Sequence, residues 1–279
     1  MERVLSVQDL SCAGRCSLTV ALPVISALGC QCAVLPTAVL STHTAFPKPF
    51  VRDLTEDISP IRDHWKSIGA EFDVISIGYL SDPGQAEAVE GLLDAFPGFV
   101  ILDPAMGDGG KLYSRITAEH VRAMSRLAKR AQLLLPNVTE AAALTGIGYE
   151  ETCEDAYYRR LAASLLELGA ESVVITGVSL QAGKIGFLAA DGKGEYFYQA
   201  KRHSRAFHGT GDLFSAVVAG AIARGMDIRE AAALAAGFVE KCVSSTREQT
   251  PWGVEFEKQL PWLWQKLQST PKCCSCPGF

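Results

Sequence analysis

The stretch "FHGTGDLFSAVVAGAIARG" at 207–225 sets Gly209-Thr210-Gly211-Asp212 directly before a run of small and apolar side chains. A capped helix accounts for one acid and one glycine, because Thr or Asp near a helix start satisfies free N–H groups. Two glycines one residue apart need a further reason, since glycine is entropically costly unless its backbone freedom is used. Phosphate chemistry supplies one. Free N–H groups at a helix start stabilise anionic oxygens, glycine lets them come close, and an aspartate there can take the proton of an alcohol attacking phosphorus. Asp103 in "DPAMGD", with Asn137 and Glu140 in "PNVTE", adds an amide and carboxylates able to organise Mg2+ and its waters. Phosphoryl transfer asks chiefly for positioning and charge neutralisation, which these groups provide. No GxxxxGK[ST] occurs, so a P-loop is excluded.

Such residues need a scaffold that gathers them. Apolar strand-like runs at 3–9, 32–40, 72–80, 99–104, 131–137 and 172–177 alternate with helical segments at 14–28, 53–68, 83–96, 117–129, 139–146 and 153–169. A hairpin is expected around Asp191-Gly192, and the chain reads as helical from Gly211, with breaks near Gly225 and Pro251. Continuous apolar strands alternating with amphipathic helices predict a mostly parallel sheet covered on both faces, a three-layer α/β/α fold. With no repeat and no long linker, 1–268 reads as one domain. Ligands of such sheets bind at the carboxyl ends of the strands.

The polar residues stand at those ends. They are Gln8-Asp9 and Ser11 after the first strand, His43-Thr44 after the second and Tyr79 after the third. Asp103 and Asp108 follow the fourth, Asn137 and Glu140 the fifth, and Thr176-Gly177 the sixth. Each has a plainer reading by itself: a loop histidine, a helix cap at Asn137 and Thr139, a turn at Asp103-Pro104, a core tyrosine. Those readings do not predict a polar set recurring over six successive strand ends.

Bulk properties narrow the classes. A net charge of −5 without a long basic run argues against nucleic acid. Apolar stretches are broken well before the ~20 residues of a membrane span, and the N-terminus lacks a secretory pattern. Nine cysteines, an odd number without a signal peptide, read as reduced cytoplasmic thiols. Cys12 and Cys16 lack a matching second pair for a metal, and the "KCCSCPGF" tail within 269–279 reads as disordered.

Taken in order, "VLSVQ", "STHT", "GYL", "DPAMGD", "PNVTE", "VVITG" and "GTGDLFSA" resemble the ribokinase-like superfamily of small-molecule kinases. The nearest resemblance is to its vitamin-kinase branch, the pyridoxal/pyridoxamine kinases. It implies ATP and Mg2+ as cofactors, leaves K+ open, and implies a homodimer acting on a B6 vitamer for pyridoxal 5′-phosphate salvage. Asp212 matches the base that activates the 5′-hydroxymethyl group, and the N–H groups of Gly209, Thr210 and Gly211 the anion hole. Gln8, Asp9, Ser11, His43, Thr44 and Tyr79 fall on the acceptor side, with His43, Thr44 and Tyr79 matching positions around the pyridine ring. Asp103, Asp108, Asn137, Thr176 and Gly177 fall on the nucleotide side, with Asp103 and Glu140 at the metal. Residues 105–116 resemble a mobile flap over the phosphates; no cysteine lies there to hold pyridoxal covalently. Two departures bear on the substrate. Pyridoxal kinases commonly carry Ser where Asp9 stands and Gly-x-x-Gly-Asn where "AGRCS" stands, and "D-x-S…AG" resembles hydroxymethylpyrimidine kinases of thiamine synthesis. The alternatives are therefore that kinase, or a non-catalytic vitamin-binding protein.

Overall fold

The computed structural model describes residues 1–204, 207–247 and 250–269; the Cys273, Cys274 and Cys276 tail lies outside them. The chain begins β1 (Arg3–Ala13), α1 (Leu18–Ala27), β2 (Gln31–Thr42), β3 (Val51–Asp53), α2 (Thr55–Ser67), β4 (Val74–Ile77), α3 (Gln85–Ala95) and β5 (Phe99–Leu102). The short strands β6 (Gly107–Asp108) and β7 (Lys111–Leu112) precede α4 (Ala118–Ala128), β8 (Leu133–Leu134), α5 (Val138–Thr145) and α6 (Asp155–Glu167). Then come β9 (Ser172–Val178), β10 (Lys184–Asp191), β11 (Gly194–Lys201), α7 (Thr210–Ala223), α8 (Ile228–Ser245) and α9 (Leu260–Ser269).

Nine strands form one sheet in the order β11-β10-β9-β8-β5-β4-β1-β2-β3. The six from β9 to β2 run parallel, and β10, β11 and β3 join antiparallel at the two edges. Alternate side chains of each central strand enter opposite cores, as a period of two requires. Leu5, Val7, Ile75, Ile77, Val173 and Ile175 pack under α2 to α6, while Val4, Val74, Ile101 and Val174 pack under α1, α7, α8 and α9. The central strands are therefore apolar on both faces, and their polar residues collect at the ends.

Three elements depart from the sequence expectation. The first is the edge strand β3 at Val51–Asp53, where the helix expected over 53–68 instead begins at Thr55. Residues 14–17 are not helical: Gly14 has φ 116° and Ser17 φ 48°, so α1 begins at Leu18. Residues 107–112 form a second hairpin turned by Gly109 and Gly110, both at positive φ. The two-residue turn that they make suits the strand twist. The expected hairpin about Asp191-Gly192 is present as β10–β11. No helix among the described residues is long and apolar enough to cross a membrane.

Candidate active site

Helix α7 packs along β1 and β4, and its start lies against the loop after Ala13. Gly209 caps it at φ 83°, and a Cβ there would be driven into the carbonyl oxygen of Arg15. Its carbonyl accepts from Leu213 N–H at 2.9 Å, the first bond of the helix. Among the described residues, none accepts from the N–H of Gly211 or Asp212. A Cβ on Gly211 would meet nothing within 4 Å. The two glycines thus have different reasons. Gly209 is required by the protein's own backbone, whereas Gly211 keeps space clear in front of free donors. Gly209→Ala is expected to lower the melting temperature. Gly211→Ala is expected to fold as well as the parent, since alanine favours the helix, yet to lose at least ~10-fold in phosphoryl transfer. Equal activity in Gly211→Ala would remove the anion hole from that position.

Three carboxyl groups gather beside this helix start. Burial raises Asp212 to about 7; the charges of Asp103 and Asp9 push the same way, and the Ser17 N–H opposes them. Burial raises Asp103 to about 6 against a hydrogen bond from Ser215. Glu140 is raised by burial and then by the charge of Asp103. No cationic side chain is among the causes that shift Asp212 and Asp103. Among the described residues no three carboxyl, imidazole or thiol groups stand close enough together to hold a metal ion by themselves. Mg2+ needs only one or two carboxylates and keeps its waters, so the free oxygens of each decide the expected Asp103–Glu140 pair. Of the two, Asp103 is the one that could offer an oxygen to it. Both oxygens of Glu140 already accept backbone donors, so Glu140 would act through charge and metal-bound water.

The bonds of Glu140 explain the Asn137–Glu140 spacing twice over. Asn137 N–H donates to Glu140 Oε2 at 2.8 Å and Glu140 N–H to Asn137 Oδ1 at 3.0 Å, a capping box that starts α5. Glu140 Oε1 also accepts from Met106 N–H at 3.0 Å, and Asn137 Nδ2 donates to Gly107 O at 2.7 Å. The cap of α5 is therefore the anchor of the β6–β7 hairpin. A third attachment runs from Gly110 N–H to Thr139 Oγ1 at 2.9 Å, under the ring of Tyr149. Asp108 is exposed, with Oδ1 accepting from Gly109 N–H. On the nucleotide side, Asn137 bridges to Thr176 across the ends of β8 and β9, and Gly177 beyond it is exposed at φ 80°.

On the acceptor side, Asp9 sits at a register shift of β1 between Gln8 and Leu10. Such bulges re-aim a side chain, and this one buries Asp9. Ser17 Oγ donates to Asp9 Oδ1 at 2.5 Å and Ser11 Oγ to Oδ2 at 3.0 Å. Gln8 is buried too, donating to Ser6 Oγ at 2.9 Å and packed against Gly78. The bonds of Gln8, Ser11 and Asp9 are thus to the protein itself. Tyr79 is half-buried, its hydroxyl raised by burial and by the charge of Asp9. Thr44 is exposed, while His43 is 5 % exposed and stacks on His208 at 4.9 Å, with Phe46 and Trp252 continuing the ring cluster. His43 Nε2 lies 3.0 Å from Pro251 O, and its Nδ1 is buried without a partner. Burial and the charge of His208 hold this histidine below its ordinary value, hence neutral. Since only a donor suits Pro251 O, Nε2 carries the proton and Nδ1 is an acceptor.

Sequence reasoning passed over Ser17, Tyr113, His208 and Ser215. Tyr113 follows the hairpin and keeps 45 % of its surface exposed, yet partial burial and the charges of Glu140, Asp108, Asp103 and Asp212 raise its hydroxyl. Its place inside the glycine-rich 105–116 segment was the available signal. His208 stands next to GTGD, but nothing local shows that it stacks on a residue far away in sequence.

The profile of the phosphomethylpyrimidine kinase family matches residues 20–255. The pyridoxal kinase of Lactobacillus plantarum superposes with a TM-score of 0.89 at 33 % identity, over 95 % of this chain and 98 % of that one. A Bacteroides thetaiotaomicron structure provisionally assigned as a phosphomethylpyrimidine kinase and solved with pyridoxal gives 0.88 at 30 % identity, over 98 % of both chains. The hydroxymethylpyrimidine/phosphomethylpyrimidine kinase of Aquifex aeolicus is 28 % identical over 194 residues, 67 % of this chain and 74 % of that protein.

Proposed function

The chain belongs to the phosphomethylpyrimidine kinase family, in the vitamin-kinase branch of the ribokinase-like superfamily, and we propose that it is an ATP-dependent pyridoxal kinase acting on B6 vitamers. The observation that carries the reading is Asp212, raised to about 7, beside the free N–H groups of α7. A carboxylate that titrates near neutrality is a competent base for an alcohol. It takes the proton of the acceptor's hydroxymethyl oxygen as that oxygen attacks the terminal phosphorus of ATP, whose bond to the bridging oxygen breaks to release ADP. The N–H groups of Gly209, Thr210 and Gly211, with that of Asp212, then meet the charge of the transferring phosphoryl. Mg2+ at Asp103, when bound, neutralises phosphate charge.

Support for a ring-bearing acceptor comes from His43. Its ring packs against Phe46 and His208, and Phe46 against Trp252, a run of flat rings of the kind that packs against a planar acceptor. The pyridoxal bound by the Bacteroides thetaiotaomicron relative agrees with a B6 vitamer. A second reading, hydroxymethylpyrimidine as acceptor, is favoured by Asp9 and by the Aquifex aeolicus relative.

The test compares kcat/KM for pyridoxal, pyridoxamine, pyridoxine and hydroxymethylpyrimidine with Mg2+-ATP. A B6 vitamer is expected to win by at least ~10-fold, the lower end of what a single pocket contact discriminates. Preference for the pyrimidine would replace the first reading with the second.

A further inference from the structure

In the sheet β1 lies between β2 and β4, so no strand ladder joins the strand that leads to His43 with the one that leads to Tyr79. Two buried polar side chains make that connection instead. Thr37 in β2 is fully buried, at the register shift where Gln8 pairs with Pro36 and Leu10 with Val39. Its Oγ1 donates to Tyr79 O at 3.0 Å. Gln85, the first residue of α3, is fully buried as well. Its Nε2 donates to Thr37 O at 2.8 Å and to Asp53 Oδ2 at 3.1 Å, and its Oε1 accepts from Ser81 N–H at 2.9 Å. Asp53 Oδ2 also accepts from the Ser81 hydroxyl at 2.5 Å. Upstream, Gly78 N–H donates to Val7 O at 2.9 Å, and a Cβ on Gly78 would meet Gln8 Oε1 at 2.6 Å. The residue before Tyr79, the Tyr79 carbonyl and the residue two beyond it are each held. A buried amide costs free energy unless its bonds are made, and a turn from β4 into α3 does not call for one. Nor does Thr37 O need it, since that oxygen already accepts from Leu54 N–H at 3.0 Å.

We infer that Thr37 and Gln85 are positioning residues for the acceptor: they fix Tyr79 at a set spacing from His43, across β1, and so set the width of the ring-binding pocket. Thr37 acts on Tyr79 through its carbonyl. Gln85 acts from behind, holding Thr37 and Ser81 to one another. The inference rests on the reading of His43 and Tyr79 as contacts of the acceptor ring.

The experiment uses the full chain with Thr37→Val, Thr37→Ser, Gln85→Met, Tyr79→Ala and the double variant Thr37→Val with Tyr79→Ala. It compares kcat and the KM of ATP and of pyridoxal, or of hydroxymethylpyrimidine if that is the better substrate. Valine keeps the shape and strand preference of threonine but cannot donate. Thr37→Val is expected to raise the acceptor KM at least ~10-fold, since an ångström of misplacement costs up to ~100-fold. The kcat and the KM of ATP are expected to stay within about two-fold, the pattern of lost uniform binding. Thr37→Ser restores the hydroxyl donor and is expected to return the acceptor KM to within about two-fold of the parent. Gln85→Met is expected to raise the same KM, and it decides the matter if Thr37→Val does not fold. With Tyr79→Ala already present, Thr37→Val is expected to add less than about two-fold, because effects carried by one shared group do not add. A Thr37 that only supports the fold would multiply with Tyr79→Ala, and that result would overturn the inference. An unchanged acceptor KM in Thr37→Val, or an equal rise in the KM of ATP, would overturn it too. If the parent phosphorylates no acceptor, the kinase reading falls and takes the inference with it; a working parent with an unaltered Thr37→Val overturns the inference alone.

Discussion

Asp212→Asn is expected to lower kcat at least ~10²-fold, the scale of general-base catalysis, while the protein still folds. The amide cannot take the hydroxyl proton, and it replaces the carboxylate with a group of nearly the same size. A second consequence has the opposite sign. The ordinary value of this group is 3.8, and burial lifts it to about 7 in the fold. Between those values the folded protein holds a proton that the unfolded chain has released, so stability falls as pH rises through the window. Above about 7 the fold carries the cost of a half-buried anion beside the charges of Asp103 and Asp9. Asp212→Asn removes that cost. Its melting temperature is therefore expected to exceed the parent's at pH 8 by at least ~2 °C, taking about 1 kcal/mol as the gain. The difference shrinks toward pH 4. In the parent, kcat/KM is expected to rise with pH through about 7 and level off. Thermal melts at pH 5 and 8, with a pH–rate profile, check all three. Retained turnover would remove Asp212 as the base; a melting difference equal at both pH values would remove the half-buried anion as its cause.

Glu140→Ala is expected to damage both fold and activity. Removal strips the acceptor from the N–H groups of Asn137 and Met106 and opens a void under the hairpin. Each buried donor left unsatisfied costs about 1–3 kcal/mol, so urea denaturation is expected to show a loss of about 2–5 kcal/mol. Repulsion from Asp103 is relieved at the same time. The lost donors outweigh that relief, because even a protonated Glu140 accepts their bonds. Glu140→Gln separates the two roles. Its carbonyl keeps part of the anchor, so most stability is expected to return, while the charge beside Asp103 is gone. The Mg2+ concentration for half-maximal rate is then expected to rise at least ~10-fold, about 1.4 kcal/mol of lost attraction. An unchanged Mg2+ requirement would leave Glu140 as a cap and hairpin anchor alone.

The elements of this fold were legible because each answers to a short-range rule. The alternation of apolar strands and amphipathic segments is a periodicity, and the hairpin at Asp191-Gly192 is a turn signal. Where the expectation slipped, the cause was local as well. Residues 14–17 resemble a helix in composition, but Gly14 and Ser17 adopt positive φ. The β6–β7 hairpin is only two residues a side, too short for any alternation to register.

The sequence by itself determined the fold class, the strand ends at which chemistry gathers, and the chemical types present: an acid at a glycine-flanked helix start, oxygen ligands, a histidine. These are properties of short windows and of their order along the chain. Only the tertiary structure decided which of those residues share a neighbour. His43 stacks on His208, Glu140 holds Met106, and Ser17 holds Asp9. The physical reason lies in the crossovers of a parallel sheet, which bring strand ends together from positions tens to hundreds of residues apart. Burial, the quantity that raises Asp212 and neutralises His43, is set by what packs over a residue and by nothing in its own window.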